Sequence, residues 1–222
     1  IEVFQDEKYY LLNKNVKIES DNLILFGDLV KIYFDVDLYD IKSIEAYGNV
    51  NLNSDLYKIK ASSNELYFFV ENEEIHLEGK KSKLITKDSE MYSNGKIIVN
   101  NTTGNFYLNG PKSKIIAQNI IIEGEEIDGK FSSNTDPKEV IFLDVYDKNI
   151  AYINNNNIEM YANIIKYDQK TSIIELEENV KINRDGEIIT GDYGTLNTET
   201  SSYKIKSKDS KKVKAILKND SE

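Results

Sequence analysis

The feature that most restricts this chain is an alternation of apolar and polar residues at a period of two. It is renewed along the length and never replaced by a stripe at helical spacing. It is plainest from Ile158 to Asp192. Ile158, Met160 and Ala162 alternate with polar or amphipathic neighbours, and Asp168–Ser172 forms a turn cluster. Ile174, Leu176, Val180 and Ile182 then alternate again, and Asn183-Arg184-Asp185-Gly186 is a second turn. Alternation broken by polar turns is the mark of half-buried antiparallel strands. β-Branched residues are restricted at χ1 in a helix, and no segment carries a 3.6-residue stripe, so helix is the poorer reading. No helix of ordinary length is expected.

The alternation has copies. Asn179-Val180-Lys181-Ile182, followed by Asp185, Ile189, Gly191 and Asp192, matches Asn15-Val16-Lys17-Ile18, followed by Asp21, Leu25, Gly27 and Asp28. It also matches Asn49-Val50-Asn51-Leu52, followed by Asp55, Ile59, Ala61 and Ser62. Asn and Asp tolerate turn conformations and bond their own backbone. A small residue leaves room where a strand bends or another backbone comes close. A second pair is Gly79-Lys80-Lys81-Ser82-Lys83-Leu84-Ile85 and Gly110-Pro111-Lys112-Ser113-Lys114-Ile115-Ile116, preceded by the strands Ile75/Leu77 and Phe106/Leu108. Short strand-turn-strand repeats predict a stacked architecture in which each unit buries its apolar face against its neighbours.

Length and composition set the outer bounds. At 222 residues, 40% hydrophobic and 30% charged, the chain can bury a core, as one elongated domain or two small ones. A formal net charge of −10 argues against nucleic acid as a partner, which asks for a basic face. There is no cysteine, hence no disulfide or thiol chemistry, and the two prolines leave strands uninterrupted. No apolar run approaches the roughly 20 residues of a membrane-spanning helix. A start at Ile1 rather than Met is compatible with a removed N-terminal signal or anchor.

In order, Ile1–Tyr10 reads as a polar, aromatic lead-in. Val16/Ile18, Ile24/Phe26 and Val30/Ile32/Phe34 read as strand faces, with an acidic turn at Asp35–Asp40. Ile44–Leu52, Leu66/Phe68/Val70, Ile75–Leu84 and Met91–Leu108 continue the pattern, with turns at Glu71–Glu74, Ser93-Asn94-Gly95 and Asn100–Gly104. Ile115–Ile122 is almost wholly apolar and is expected to be a strand buried on both faces. Glu123–Lys138, rich in Gly, Ser, Asn and Asp and containing Pro137, is expected to be a long loop or hinge. It divides one possible body, 1–222, into modules 1–122 and 139–222. Val140–Val145 resumes as a strand, Asn154–Asn157 is a loop, and Tyr203-Lys204-Ile205 and Val213–Leu217 are the last strands, before a ragged Ser221-Glu222 end.

Several of these pieces resemble the LptA/OstA family of lipopolysaccharide transport. They are Ile44-Glu45-Ala46-Tyr47-Gly48-Asn49-Val50, Ala162-Asn163-Ile164-Ile165-Lys166-Tyr167-Asp168, Glu178-Asn179-Val180-Lys181-Ile182, Gly191-Asp192, and the ending Ser207-Lys208-Asp209-Ser210-Lys211-Lys212-Val213-Lys214-Ala215-Ile216-Leu217. No single motif is diagnostic; the repetition of the whole unit carries the likeness. The resemblance implies an all-β fold, an elongated antiparallel β-jelly-roll or folded-over sheet (a β-taco). Its open apolar trough would hold the acyl chains of lipopolysaccharide. It also implies a periplasmic bridge without enzymatic activity or cofactor, with edge strands pairing head-to-tail, with copies of itself or with like-folded Lpt proteins. The anchored adaptor LptC shares that fold. This chain is longer than the minimal member, which suggests extra rungs or two fused modules.

The alternation nominates the residues lining such a groove: Val16, Ile18, Ile32, Phe34, Ile44, Val50, Leu52, Leu66, Phe68, Ile75, Leu77, Phe106, Leu108, Met160, Ile174, Leu176, Val180 and Ile182. A buried CH₂ contributes roughly 0.8 kcal/mol, so long chains would be held without a charged pocket. The same residues serve equally as a closed, dry core.

Other chemistry is thin. His76, the sole histidine, falls on the face opposite Ile75 and Leu77, and no nucleophile motif such as G-x-S-x-G is present. Asp35/Asp37/Asp40, Glu71/Glu73/Glu74 and Glu125/Glu126/Asp128 are calcium candidates by type and solvated turn charges by context. Lys208, Lys211, Lys212 and Lys214 form a basic end, suited to an anionic headgroup or acidic partner and equally to guarding an edge strand. Three functions remain open: a lipid-carrying bridge, a β-solenoid scaffold or adhesin with a dry core, and a carbohydrate-active β-helix enzyme using paired carboxylates.

Overall fold

The computed structural model describes residues 1–20, 22–37, 39–55, 58–118, 120–208 and 212–216. Asp21, Asp209, Ser210, Lys211, Leu217 and the Ser221-Glu222 end, all named above, lie outside the described residues. The secondary structure among the described residues is β throughout, without a helix, and every pairing described below is antiparallel. The chain divides into two compact units, Ile1–Ser113 and Lys114–Glu222.

Unit 1 is a meander of strands: β1 (Glu2–Phe4), β2 (Tyr9–Ser20), β3 (Leu23–Phe34), β4 (Ile41–Ser54), β5 (Ile59–Phe69), β6 (Glu74–Glu78), β7 (Ser82–Ile85), β8 (Ser89–Ser93), β9 (Lys96–Asn100) and most of β10 (Asn105–Ala117). β2 to β5 pair in sequence order, then β5 pairs β6 along one half and β7 along the other. β9 pairs β6 and β8 pairs β7, so β6/β7 and β8/β9 each act as one long strand interrupted in the middle. The lead-in Ile1–Tyr10 is more than a loop, since β1 pairs Tyr9–Leu11 of β2.

Unit 2 repeats the plan with β11 (Ile120–Phe131), β12 (Val140–Asn155), β13 (Ile158–Asp168), β14 (Ile173–Arg184), β15 (Glu187–Asn197), β16 (Tyr203–Lys206) and β17 (Lys214–Ile216). β11 to β15 pair in order; β16 and β17 then pair the two ends of β15.

The strands bend at mid-length, and the bends align. The register shifts between Asn13/Val16, Phe26/Leu29 and Tyr47/Val50 in unit 1, and between Glu123/Glu126, Tyr146/Ala151, Tyr161/Ile164 and Glu177/Val180 in unit 2. These are β-bulges, which leave a residue unpaired and bend the strand. The backbone there turns left-handed at Lys14, Asn15, Gly48, Asn49, Glu178 and Asn179. Asn is among the few non-glycine residues that visit this conformation readily. A Cβ at Gly48, with φ of 72°, would collide with Asp28 Oδ2, so this position is held by glycine for conformation and space together.

This crease is what the sequence copies encode. Asn15-Val16, Asn49-Val50 and Asn179-Val180 are not hairpin turns but the bends within β2, β4 and β14. The interruptions at Gly79–Lys81 and Ser93-Asn94-Gly95, and the bend at Gly110–Lys112 inside β10, are its continuation. Gly95 and Gly110 face each other so closely that a Cβ on either would strike the other strand's backbone. Polar side chains stitch the crease together: Asn49 donates to Asp28 (3.0 Å) and Asn179 to Asn163 Oδ1 (2.6 Å). Asn163, itself buried, donates to the carbonyls of Asp147 (2.9 Å) and Asn149 (3.1 Å). A buried amide so satisfied stabilises the bend instead of penalising it.

Three expectations need correcting. Glu123–Lys138 is not one long loop: residues through Phe131 belong to β11, and the connection is confined to the stretch before Val140. Gly124 and Gly129, read as breakers, take interior positions in the alternation Ile122, Gly124, Ile127, Gly129, Phe131, and a Cβ at Gly124 would press on Val145 Cγ1. Ile115–Ile122 is not a single strand buried on both faces: β10 ends at Ala117, Gln118 turns with φ of 47°, and β11 begins at Ile120. Finally, Ile24 and Phe26 are not the inward face of β3. Leu23 and Leu25 face inward, and Phe26 is 44% exposed. Four consecutive apolar residues carry no parity, so the face was not readable there.

The other hairpins follow local chemistry. Asn156 and Asn157, both left-handed, form the two-residue turn joining β12 to β13, with Asn155 opposite Ile158. Thr86 Oγ1 accepts from the amides of Asp88 (3.2 Å) and Ser89 (3.0 Å), closing β7 onto β8.

Candidate functional site: an apolar mouth in unit 1

Bending every strand at the same level folds the sheet of unit 1 into a front wall and a back wall whose inner faces oppose each other. On the front wall, next to the crease, one rung runs Val30, Ala46, Leu66, Leu77, Ile97, Leu108. All six are buried, at 0–2% exposure. The rung beyond it, away from the crease, runs Ile32, Ile44, Phe68, Ile75, Val99, Phe106, of which Ile32, Ile44, Phe68 and Val99 are only half-buried. On the back wall, Ile18, Leu25, Leu52, Ala61, Leu84 and Met91 make the matching rung. Packing is therefore complete at the crease and loosens toward the free rims.

Where it loosens there is a cleft of about 90 Å³. Ile44, Leu66, Phe68, Ile75 and Val99 line it from the front wall, and Leu23, Leu25, Leu52, Ile59 and Leu84 from the back. Among the described residues, Glu73, Thr86, Asn101 and Ser54 are its polar neighbours. Of the eighteen residues nominated by alternation, this cleft gathers Ile44, Leu52, Leu66, Phe68 and Ile75. Val16, Ile18, Ile32, Phe34, Val50, Leu77, Phe106 and Leu108 take other buried or half-buried inner positions of unit 1. Leu23, Leu25, Ile59, Leu84 and Val99 were missed. Only the register, which pairs Leu25 with Leu52 and Ile75 with Val99, reveals them.

In unit 2, Ile165 and Leu176 continue a front rung from Val145, and Ile153, Met160 and Ile182 a back rung. The nominated Met160, Ile174, Leu176, Val180 and Ile182 are all buried at 0–1% exposure. The cleft at this mouth, about 200 Å³, is bounded by Gln118, Lys138, Glu139, Asn155, Asn156, Tyr167 and Gln169 over Val140, Leu143, Ile153 and Ile174. Gln118 donates to the Lys138 carbonyl (3.2 Å), and Gln169 to Glu139 (3.3 Å).

The outer surfaces of unit 1 carry the charge. On the front wall Glu45 accepts from Tyr47 (2.9 Å) and Tyr33 (3.4 Å), and Glu65 from Tyr67 (2.7 Å). Accepting that bond, Glu65 pushes the Tyr67 phenol far above its ordinary range, with burial and Tyr47 adding to it. His76 sits in the same outer layer, 2.7 Å from Glu74, which also accepts from Asn100 (2.9 Å). The Asn100 and His76 bonds hold the Glu74 carboxyl below its usual value. These carboxylates bond side chains of their own sheet. Asp37 caps the turn by accepting from the Tyr39 and Asp40 amides. Among the described residues no group of three His, Asp or Glu converges as a metal site.

The family described as LptA/(LptD N-terminal domain) LPS transport protein matches residues 2–105 and again residues 102–202. No curated protein matches the chain. Among solved structures it is similar to the crystal structure of LptH, the LptA homologous periplasmic component of the conserved lipopolysaccharide transport device from Pseudomonas aeruginosa. The identity is 11% and the TM-score 0.47, over 59% of this chain and 94% of that one. The two consecutive family matches together span most of the sequence, and the chain belongs to the LptA/LptD N-terminal-domain family of lipopolysaccharide transport proteins.

Proposed function

We propose that this chain is a periplasmic carrier that binds lipopolysaccharide by its acyl chains at the mouth of unit 1 and bridges between other Lpt components, without enzymatic activity. One observation carries the reading: the unit 1 mouth is lined by ten apolar side chains on two facing walls, against four polar residues. Acyl chains gain roughly 0.8 kcal/mol per buried CH₂ on entering such a space. At about 90 Å³ the cleft is well below the roughly 300–1,000 Å³ of ordinary ligand pockets, so the walls part about the crease when lipid enters. The packed rung beside the crease stays dry, and the half-buried Phe68, Ile44 and Leu52 meet the lipid first.

Bridging follows by strand addition. Among the described pairings β1 covers Tyr9–Leu11 of β2, and the backbone of β2 from Asn13 onward would offer the first edge. β16 and β17, each paired with β15, offer the last. Head-to-tail joining of such edges, to like-folded partners or a second copy, extends the sheet from one molecule to the next. The two family matches and the two compact units support a tandem of family modules. Phe68→Glu tests the lipid claim. The variant should retain its far-UV spectrum and hold at least tenfold less lipopolysaccharide on co-elution; retention equal to wild type contradicts the reading.

A further inference from the structure

The outer surface of the back wall of unit 1 is the chemical opposite of the front. Two adjoining shallow concavities occupy it, sharing Ser62 and Lys83. Among the described residues neither has a carboxylate in its lining, in a protein of net charge −10. Lys60, Lys81, Lys83 and Lys112 line them. Lys81 and Lys112 occupy equivalent places in the two lysine-serine repeats, both on left-handed backbone at the crease (φ 62° and 63°). Lys83 lies 5.1 Å over the Tyr92 ring, which steadies its stem. At the margins Glu19 pairs with Lys17, while Glu90 accepts from the Tyr92 hydroxyl and Asp28 from Asn49, and both of these keep their charge. Between the lysines the register places Phe26, 44% exposed, in the rung that runs through Asn51 and Ser62 to Lys83.

Exposed apolar area beside a run of lysines, here Ile24, Phe26 and Ile85 alongside Lys60 and Lys83, is the combination that holds a protein on an anionic bilayer. The cations gain from the surface potential, and the ring of Phe26 inserts at the level of the headgroups. We infer that the outer back wall of unit 1 docks on an anionic phospholipid surface, leaving the tyrosine- and glutamate-rich front wall turned to solvent. This inference is independent of lipopolysaccharide carriage, because the surface involved lies outside the cleft.

The test uses the full chain and vesicles free of lipopolysaccharide, either phosphatidylcholine alone or an equimolar mixture with phosphatidylglycerol. Co-sedimentation is expected with the anionic vesicles only, weakening as salt rises. Each lysine near the surface contributes about fivefold in partition, so Lys60→Gln/Lys83→Gln/Lys112→Gln should lose at least tenfold. Lys204→Gln/Lys206→Gln/Lys208→Gln, of equal charge change, should bind as wild type. Since the chain has no cysteine, a polarity-sensitive dye on Phe26→Cys should shift to the blue with anionic vesicles. Equal binding to neutral vesicles, an undiminished first triple variant, or a dye unmoved by bound vesicles overturns the inference. So does full competition by millimolar inorganic phosphate, which would mark a local anion pocket instead of a membrane face.

Discussion

The mouth of unit 1 is lined mainly by Leu23, Ile44, Ile59, Phe68 and Val99, with Glu73 and Asn101 beside them, whereas the mouth of unit 2 is bounded by Gln118, Lys138, Glu139, Asn155 and Gln169, four of which are bonded in two pairs, Gln118 to Lys138 and Gln169 to Glu139. Both clefts belong to sheets bent by the same device, a column of bulges, with left-handed asparagine at Asn15 and Asn49 in unit 1 and at Asn179 in unit 2. The difference separates two layers of information. The crease makes the fold, and only the last rung on each wall decides what enters. Opening unit 2 breaks the Gln118–Lys138 bond and brings Lys138 and Glu139 to an acyl chain, which costs more than in unit 1, where the polar pair Glu73 and Asn101 sits beside ten apolar side chains. We therefore place lipid in the first mouth and expect the second to stay shut.

The packing gradient in unit 1 gives the largest expected effect. Leu77→Ala, in the rung at the crease, should cost about 2–5 kcal/mol of stability, while Phe68→Ala at the mouth should cost less than half the loss expected for a buried Phe (about 3–5 kcal/mol). Urea unfolding measures both, and equal losses would erase the gradient. At the crease, Gly48→Ala forces a side chain into left-handed backbone and against Asp28, a loss of about 1–2 kcal/mol. The exposed Asn49→Gly keeps the conformation but loses the bond to Asp28, and should cost less, at most about 1 kcal/mol.

Unit 2 provides a charge test of the opposite sign. Burial raises the Asp144 carboxyl above its ordinary value; Lys166 partly relieves this, and Asp128 and Glu126 add repulsion. A carboxyl raised in the folded state favours folding below its unfolded value and loses that contribution as pH rises through the folded one. Asp144→Asn should therefore raise Tm at pH 7, by about 1 °C, and the gain should vanish in acid. Calorimetry at pH 7 and pH 3 decides. The smallest effect concerns Glu74: without the Asn100 bond, Asn100→Ala should move its titration upward toward the ordinary glutamate range, followed by NMR.

Much of this architecture was legible in the sequence. Period two gave the strands, and the Asn-Val and lysine-serine copies marked a recurring structural event. What they marked was hidden, because asparagine at a hairpin and asparagine at a bulge are chosen for the same left-handed backbone. Gly124 and Gly129 misled for a related reason, since a glycine admitting a neighbouring strand looks like a glycine ending one. The inner face of β3 was lost in Leu23-Ile24-Leu25-Phe26, where register alone assigns Phe26 to the outside. The polarity of the unit 2 mouth arises from Gln118, Lys138 and Gln169, far apart in the chain and brought together only by the fold.

The account rests on lipid entering one mouth and not the other. A benzoyl-phenylalanine photo-crosslinker replacing Phe68 in one preparation and Leu143 in another, irradiated with lipopolysaccharide, tests this directly. We predict a strong adduct from position 68 and at most a tenth as much from position 143. Comparable adducts from both positions, or none from position 68, would contradict it.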